Sequence, residues 1–170
     1  MYYFIGDDME NSQAVLKALK DLEIPFEHYT HAPVVSAADR YPLGLDFGAV
    51  VCKNLLVTTR NESRFLLCML PCEKEADLKE MRTAFLTSRL CFASEDALKR
   101  LLDQKPGSVG VLSVINDRSR VCEVVLDASL KDAPRIAMHP GVNTETVVLS
   151  GFELARFVRA YAFKLTYFSF

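Results

Sequence analysis

Residues 49–70 read AVVCKNLLVTTRNESRFLLCML, and this stretch decides the fold class. Two apolar runs, 49–59 and 64–70, flank a polar segment of four residues, Arg60-Asn61-Glu62-Ser63. Apolar runs of this length joined by a short polar turn are typical of an antiparallel β-hairpin. The first run is interrupted by the polar pair Lys53-Asn54, which a buried strand would not carry without a reason.

Towards the N-terminus, the sequence predicts one helix, one strand and a second, short helix. Over residues 11–22 the apolar positions fall on one helical face, at Val15, Leu16, Leu19 and Leu22. Pro25 ends this helix, and the alternation of residues 26–30 predicts a strand. Ser36 and Asp39 have the spacing of a capping box, which predicts the start of the short helix.

Towards the C-terminus, strands and helices continue to interleave. The predicted helices are residues 74–86, a helix capped by Ser94 that ends near Asp103, and a helix capped by Ser150 that ends near Ala160. The predicted strands are residues 89–93, 111–115, 120–126, 135–138 and 144–149, of which 111–115 and 120–126 form a second hairpin. The aromatic tail, residues 163–170, is either a strand or an oligomer contact.

This order of elements predicts a mixed α/β fold with a largely antiparallel sheet and helices packed around it. A chain of 170 residues is long enough to bury one core, so we expect residues 1–170 to form a single domain. No apolar run reaches the roughly 20 residues that span a bilayer, and the N-terminus lacks the basic flank and cleavage site of a signal peptide. These features predict a cytoplasmic protein that does not bind membranes.

The cysteines and the charge narrow the function further. Five cysteines, at positions 52, 68, 72, 91 and 122, are odd in number and lie mostly in apolar runs, which predicts reduced and buried thiols. Cys68 and Cys72 are four residues apart without a second pair of ligands, so a zinc site is not expected. A net charge of −2 argues against a general nucleic-acid coat and against DNA, although it allows contact with the end of a tRNA.

Three polar islands beside apolar runs carry the candidate chemistry. They are Lys53-Asn54-Leu55, Lys105-Pro106-Gly107-Ser108-Val109 and Met138-His139-Pro140-Gly141-Val142-Asn143-Thr144. Taken alone, each has a plain structural interpretation: a lysine reaching solvent from a strand end, a turn between a helix and a strand, and a structural histidine. Together they offer the cation, the glycine loop and the polar side chains that grip an ester and hydrolyse it.

The order Lys-Asn, then Pro-Gly-Ser-Val, then His-Pro-x-Val-Asn-Thr resembles the free-standing aminoacyl-tRNA editing proteins of the YbaK-type superfamily. These proteins are relatives of the insertion domain of bacterial prolyl-tRNA synthetase. The resemblance runs from about Ser12 to Ala160. It implies the fold of that family, an aminoacyl-tRNA deacylase activity, the aminoacylated 3′ end of tRNA as partner, prolyl-tRNA synthetase as a possible second partner, and no cofactor or metal.

The resemblance also implies roles for individual residues. Lys53 matches the essential lysine that holds the terminal nucleotide, and Gly107 belongs to the loop whose amides face the ester oxygen. His139 matches the histidine that limits the size of the aminoacyl pocket. The remaining expected substrate-binding positions support these groups or their loops: Asn54, Ser108, Val109, Pro140, Asn143 and Thr144. Asn54 should point to the sheet face opposite Lys53 if the strand is regular, and there it could bond loop backbone.

The expected reaction is hydrolysis of mischarged tRNA for proline, with alanine as the expected wrong amino acid and cysteine as the alternative. A rival interpretation is an inactive module of the same fold that binds tRNA or a synthetase. It is favoured by Gly110-Val111, which stands where the family loop has Thr-Pro. A small-molecule esterase is the third possibility, and the chain lacks the Gly-x-Ser-x-Gly elbow of α/β-hydrolases. Cys52 is expected to be an inert buried thiol, and His28 and His31 to be structural or exposed.

Overall fold

The computed structural model describes residues 6–34 and 45–170. Within these ranges the helices are α1 (Gly6–Asp21), α2 (Leu78–Ala84), α3 (Glu95–Leu102) and α4 (Gly151–Tyr161), with 3-10 helices at Val111–Asn116 and Ala128–Leu130. The strands are β1 (Glu27–Thr30), β2 (Val50–Thr59), β3 (Phe65–Pro71), β4 (Leu90–Phe92), β5 (Cys122–Asp127), β6 (Ile136–Met138), β7 (Glu145–Leu149) and β8 (Lys164–Phe168). The predicted helix at Ser36 to Asp39 lies outside the described residues.

The eight strands of the described ranges form one mixed sheet in the order β1-β7-β6-β2-β3-β5-β8, with β4 paired to β2. The pairings β1–β7, β2–β3, β2–β4 and β6–β7 are antiparallel, and β2–β6, β3–β5 and β5–β8 are parallel. β2 and β3 are the hairpin predicted for residues 49–70. The predicted fold class is confirmed, and the aromatic tail supplies a strand, β8, beside β5.

Helix ends follow the predicted capping residues. The Ser94 and Ser150 side chains accept hydrogen bonds from the main-chain N–H groups of Ala97 and Glu153, at 3.2 Å each, and so begin α3 and α4. The helix predicted for residues 74–86 is shorter, because Asp77 caps it and α2 begins only at Leu78. In residues 6–34 and 45–170, no helix combines the length and apolar character needed to cross a bilayer.

One predicted strand was wrong. Residues 111–115 belong to a 3-10 helix, with the N–H of Ser113 donating to the Gly110 carbonyl at 3.1 Å. The segment is a short apolar run, and periodicity alone cannot distinguish a buried strand from a buried helical turn in such a run. The predicted second hairpin is therefore also wrong, since Asp117 instead caps the entry to β5 by accepting from the N–H groups of Val121 and Cys122.

The two faces of the sheet are covered differently. On the main face, α1, α3, α4 and the 3-10 helix at 111–116 pack over a large core that includes Leu67 and Ile136. On the opposite face, Met81 of α2 joins a smaller core with Leu66. Side chains alternate between the faces along each strand, so consecutive residues of β2 are divided between the two cores.

One edge of β2 is open in the middle of the strand. β3 pairs with residues 52–58 of β2 along one edge, so β6 and β4 must share the other edge. β6 pairs there only with residues 50–51, and β4 only with residues 57–59. No strand of the described chain pairs with residues 53–55 on that edge. The fold thus leaves a gap in its sheet beside the polar pair Lys53-Asn54.

Candidate functional site

A cavity of about 490 Å³ lies at this gap. Such a volume is typical of small-molecule sites, which measure roughly 300–1,000 Å³. The walls come from β2, β4, the loop before the 3-10 helix, and the turn between β6 and β7. The lining residues are His31, Val34, Leu45, residues 51–56, Cys72, Phe92, Ala93, Leu98, residues 106–109, residues 137–139, Asn143, Glu145 and Thr146.

All three polar islands of the sequence reach this cavity. Of the residues expected to act there, Lys53, Asn54, Gly107, Ser108, Val109, His139 and Asn143 line it. Pro140 and Thr144 lie outside the lining residues. The Thr144 and Asn143 carbonyls accept from the N–H groups of His31 and Val34, at 2.9 Å each, so this turn anchors the segment that follows β1.

Lys53 and Asn54 project from opposite faces of β2. Cys52 packs against the large core and Leu55 against the smaller one, so alternation places Asn54 on the main face and Lys53 on the other. Both still line the cavity, because it lies at an open edge of the sheet and reaches both faces. In the described chain, the Lys53 ammonium has no ion-pair partner, and the buried Asn54 Oδ1 has no hydrogen-bond donor.

The main-chain groups of Asn54 also face the gap. On the β3 side, the N–H of Cys72 donates to the Val51 carbonyl at 2.9 Å, whereas on the other side the N–H of Val50 donates to the Arg135 carbonyl at 3.0 Å. Successive residues of a strand direct their N–H and C=O groups to alternate edges. Asn54 therefore shares the edge of Val50, where no strand of the described chain covers it.

Gly107 adopts a conformation that suits glycine. Its φ is +83°, in the left-handed region, and it follows Pro106 in a turn closed by the N–H of Ser108, which donates to the Lys105 carbonyl at 3.1 Å. A Cβ at Gly107 would meet nothing within 4 Å, so the constraint is the backbone conformation rather than space. The N–H groups of Gly107 and Val109 donate no hydrogen bond within the described chain and remain available to a ligand.

His139 is held by hydrogen bonds at both ring nitrogens. Its Nδ1 accepts from the N–H of Gly141 at 3.3 Å, so the proton must lie on Nε2, which donates to the Val109 carbonyl at 3.2 Å. Burial lowers the pKa of His139, so the imidazole is neutral at pH 7. The pKa of His139 is lower in the folded than in the unfolded chain, so below a pH of about 6.5 the unfolded chain binds a proton more readily. The free energy of unfolding therefore falls as the pH drops below this value.

The ring of His139 rests against Gly110. A Cβ at Gly110 would lie 2.7 Å from His139 Cε1 and 3.1 Å from Nδ1, closer than such contacts allow. The departure Gly110-Val111 from the family loop therefore has a physical reason in this chain: the missing side chain makes room for the imidazole. A residue with a side chain at position 110 would force His139 to take another place.

Several lining residues could not be identified from the sequence. His31, expected to be structural or exposed, lines the cavity, and its Nε2 bonds Thr146 Oγ1 at 2.9 Å. His28 instead is exposed and bonds Glu145 Oε2 at 2.8 Å. These groups are more than a hundred residues apart in sequence and are brought together by the antiparallel pairing of β1 with β7. No local sequence pattern predicts that pairing.

Cys52 lines the cavity but is a poor nucleophile. Burial raises the pKa of its thiol to about 12, so the thiolate is scarce at neutral pH. Burial also raises the pKa of Cys68 and Cys122, and no two of the five cysteines form a disulfide in the described chain. Cys68 and Cys122 are buried as expected, whereas Cys52 is partly exposed. The described residues contain no cluster of three or more histidine, cysteine or acidic side chains that could bind a metal.

The chain is similar to known proteins over most of its length. Residues 31–157 match the model of the aminoacyl-tRNA editing domain family. The chain is 31% identical over 153 residues to the prolyl-tRNA editing protein ProX of Acetoanaerobium sticklandii, covering 90% of this chain and 93% of that one. It is 28% identical to prolyl-tRNA synthetase associated domain-containing protein 1 of Danio rerio, over 82% of this chain and 77% of the relative.

Solved structures share the fold. A candidate trans-editing enzyme for prolyl tRNA synthetase superposes with a TM-score of 0.70 at 14% identity, covering 94% of this chain and 95% of the other. The hypothetical protein APE2540 superposes with a TM-score of 0.70 at 16% identity, covering 89% and 97% of the two chains. At such low identity these superpositions establish the fold alone.

Proposed function

Because this chain belongs to the aminoacyl-tRNA editing domain family, and is thus an aminoacyl-tRNA deacylase of the prolyl-tRNA editing type, we propose that its substrate is alanyl-tRNA(Pro). Cysteinyl-tRNA(Pro) is the second candidate, because cysteine is also smaller than proline. Prolyl-tRNA synthetase, which would make the mischarged tRNA, is proposed as the source of the substrate and not as part of the site.

One observation carries the proposal: Lys53, the Gly107 loop and His139 share one cavity although they are 32 to 86 residues apart in sequence. The cavity volume of about 490 Å³ suits a nucleoside with an acyl group rather than a small acyl group alone. In addition, the Lys53 ammonium, which forms no ion pair with the described residues, supplies the positive charge that the 3′-terminal nucleotide needs. Net charge on the whole chain is −2, so this local charge matters more than a basic surface.

The proposed reaction is attack by a water oxygen on the carbonyl carbon of the ester. The tetrahedral intermediate carries an oxyanion, and we assign its stabilisation to the N–H groups of Gly107 and Val109, which donate no hydrogen bond to the described part of the chain. The bond to the ribose oxygen then breaks, and that oxygen takes up the proton that the attacking water has given up, so that the free amino acid and the intact ribose hydroxyl are the products. The Asn54 Oδ1, which lacks a donor in the described chain, is the acceptor available for the substrate's α-ammonium group.

His139 is proposed to set the size limit rather than to act as a base. Its Nδ1 already accepts a hydrogen bond from Gly141 and its Nε2 proton is committed to Val109, so neither nitrogen is free to take a proton from water. A synthetase pocket built for proline rejects a smaller residue by only ~1–3 kcal/mol. A second site with a rigid wall can then admit alanine and exclude proline by size.

The interpretation as an inactive module rested on Gly110-Val111. The close approach of His139 to Gly110 supports a different reason for the glycine, which is that it makes room for the imidazole. The proposal is tested by presenting the wild-type protein with alanyl-, cysteinyl- and seryl-tRNA(Pro) at equal concentration. We expect the alanyl ester to be hydrolysed fastest. Faster hydrolysis of the cysteinyl ester would support the second candidate and contradict the first.

Substitution of Gly107 separates catalysis from binding. In Gly107→Ala, the left-handed conformation costs about 1–2 kcal/mol and the loop amides move away from the oxyanion. We expect the single-turnover rate of deacylation to fall at least about tenfold, which corresponds to ~1.4 kcal/mol. Affinity for a non-hydrolysable aminoacyl analogue should fall less, because the amides act on developing charge.

Gly107→Asn is the matched control, since asparagine tolerates positive φ better than alanine. It should retain more activity than Gly107→Ala. If both variants lost rate and affinity in equal proportion, the loop would serve binding alone. If the wild-type protein bound the analogue and hydrolysed none of the three esters, the inactive module would be the correct interpretation.

A side chain at position 110 should push His139 into the acyl pocket. We expect Gly110→Ala to lower alanyl-tRNA(Pro) hydrolysis about tenfold and to shift the imidazole NMR resonances of His139. The double variant Gly110→Ala with His139→Ala should recover the rate of His139→Ala alone, because the clashing ring is gone. A wild-type rate in Gly110→Ala, with unshifted imidazole resonances, would refute this contact.

A further inference from the structure

An exposed aromatic ring stands at the cavity. Phe92, the last residue of β4, is 62% exposed and lines the cavity wall. Single exposed aromatic residues are ordinary, and exposure alone would mean little. Phe152 and Phe163 are equally exposed, at 66% and 68%, but neither lines the cavity. What distinguishes Phe92 is its place at the mouth of the site.

Phe92 lies on the same sheet face as Lys53. Its partner in the antiparallel pairing is Val57, and paired residues share a face. Val57 belongs to the smaller core, and Lys53, four residues earlier on β2, projects from the same face because side chains alternate along a strand. Four residues of a strand span about 13 Å, a separation that the lysine side chain and a nucleotide can bridge together.

The backbone under Phe92 is fixed. β4 is paired with β2 over residues 57–59, and Leu90, two residues earlier on the same face, is buried in the smaller core. The N–H of Ala93 donates to the Leu56 carbonyl at 2.9 Å, which fixes the strand on the other side of Phe92. The Cα of Phe92 is therefore held at the cavity, and only the two side-chain torsions of the ring remain to be ordered when a ligand binds.

The two faces thus offer different chemistry to one ligand. On the main face are Asn54, His139 and the Gly107 loop, which suit an acyl group. On the opposite face are the cation of Lys53 and the flat apolar surface of Phe92. Stacking of an unpaired base on an aromatic side chain contributes about 1–3 kcal/mol of binding free energy, and any of the bases can stack. The phosphate of the same nucleotide is bound by a cation.

We propose that Phe92 is a stacking platform for the 3′-terminal adenine of the tRNA, beside Lys53, which contacts that nucleotide's phosphate. This inference rests on the proposed function, since the terminal adenosine carries the ester. It adds a binding residue for the nucleotide that none of the three sequence islands contains. It also explains how a protein with net negative charge holds a tRNA end through one ring and one ammonium group.

The test compares four variants on alanyl-tRNA(Pro). Phe92→Ala should raise KM about 5- to 150-fold, the equivalent of the stacking energy, while the single-turnover rate at saturation stays within about twofold. Phe92→Trp should keep a KM near the wild-type value, whereas Phe92→Leu should behave like Phe92→Ala. Phe163→Ala, an equally exposed phenylalanine outside the cavity lining, should leave KM unchanged.

A spectroscopic readout accompanies the kinetics. A tRNA whose terminal adenine is replaced by 2-aminopurine should lose fluorescence on binding to the wild-type protein and to Phe92→Trp, through stacking. The quenching should be absent with Phe92→Leu. If Phe92→Leu matched the wild-type protein in both KM and quenching, Phe92 would be no stacking platform. Without any hydrolysis by the wild-type protein the proposed function fails, and the quenching still decides the role of Phe92.

Discussion

Replacing Lys53 by alanine is expected to abolish most of the deacylase activity and to leave the fold nearly untouched. Lys53 lines the cavity and has no ion-pair partner in the described chain, so its removal breaks no ion pair there. Lys53 is proposed to hold the terminal nucleotide, so its loss should misplace the ester relative to the Gly107 loop, and a misplacement of about 1 Å can cost about 10²-fold in rate. Single-turnover hydrolysis of alanyl-tRNA(Pro) and the thermal midpoint of unfolding together measure both expectations.

Lys20→Ala is the matched control, because Lys20 is an exposed lysine in the last turn of α1 and outside the cavity. It should hydrolyse the ester at the wild-type rate. A Lys53→Ala variant with full activity would show that the lysine only reaches solvent from the strand, the plain structural interpretation. A Lys53→Ala variant with a strongly lowered thermal midpoint would assign the residue to stability instead.

Replacing His139 by alanine should open the acyl pocket and extend hydrolysis to correctly charged prolyl-tRNA(Pro). Proline is larger than alanine by two methylene groups, and the imidazole forms the wall that we propose excludes them. The ratio of alanyl to prolyl hydrolysis should fall at least about tenfold, or ~1.4 kcal/mol of lost discrimination. Stability should fall by about 1–3 kcal/mol, because the Val109 carbonyl loses its donor.

His28→Ala provides the comparison, since it removes an exposed imidazole that is not among the lining residues. Its ratio of alanyl to prolyl hydrolysis should equal that of the wild-type protein. Hydrolysis rates are measured well below the thermal midpoint of His139→Ala, so that the variant is fully folded and its lower stability does not affect the rates. An unchanged ratio in His139→Ala would remove this residue from the wall that excludes proline.

Local sequence patterns predicted much of this fold because their physical causes are local. The hairpin at residues 49–70 follows from two apolar runs and a polar turn, and the starts of α3 and α4 follow from Ser94 and Ser150. The strand predicted at residues 111–115 was wrong, because the sequence of a short apolar run buried between helices cannot be distinguished from that of a buried strand. The tail at 163–170 was left open between strand and contact, since only its pairing with β5 decides the matter.

The site was harder to predict than the fold, because long-range pairing makes it. The sequence motifs predicted Lys53, Gly107 and His139 as site residues. The cavity that all three line lies at a gap in the sheet, and that gap depends on how far β6 and β4 extend along β2. His31 and Phe92 line the cavity through pairings that no short pattern encodes. Gly110 shows the limit most clearly: its sequence departure favoured an inactive protein, whereas in the structure a side chain at this position would collide with the imidazole of His139.

The most direct test of this account uses the wild-type protein and one tRNA transcript charged with two amino acids. Single-turnover rates are measured on alanyl-tRNA(Pro) and prolyl-tRNA(Pro), which differ only in the acyl group that enters the cavity. If the pocket excludes proline by size, the alanyl ester should be hydrolysed rapidly. The prolyl ester should be hydrolysed no faster than in buffer without the protein. Equal hydrolysis of both esters, or hydrolysis of neither, would contradict this account.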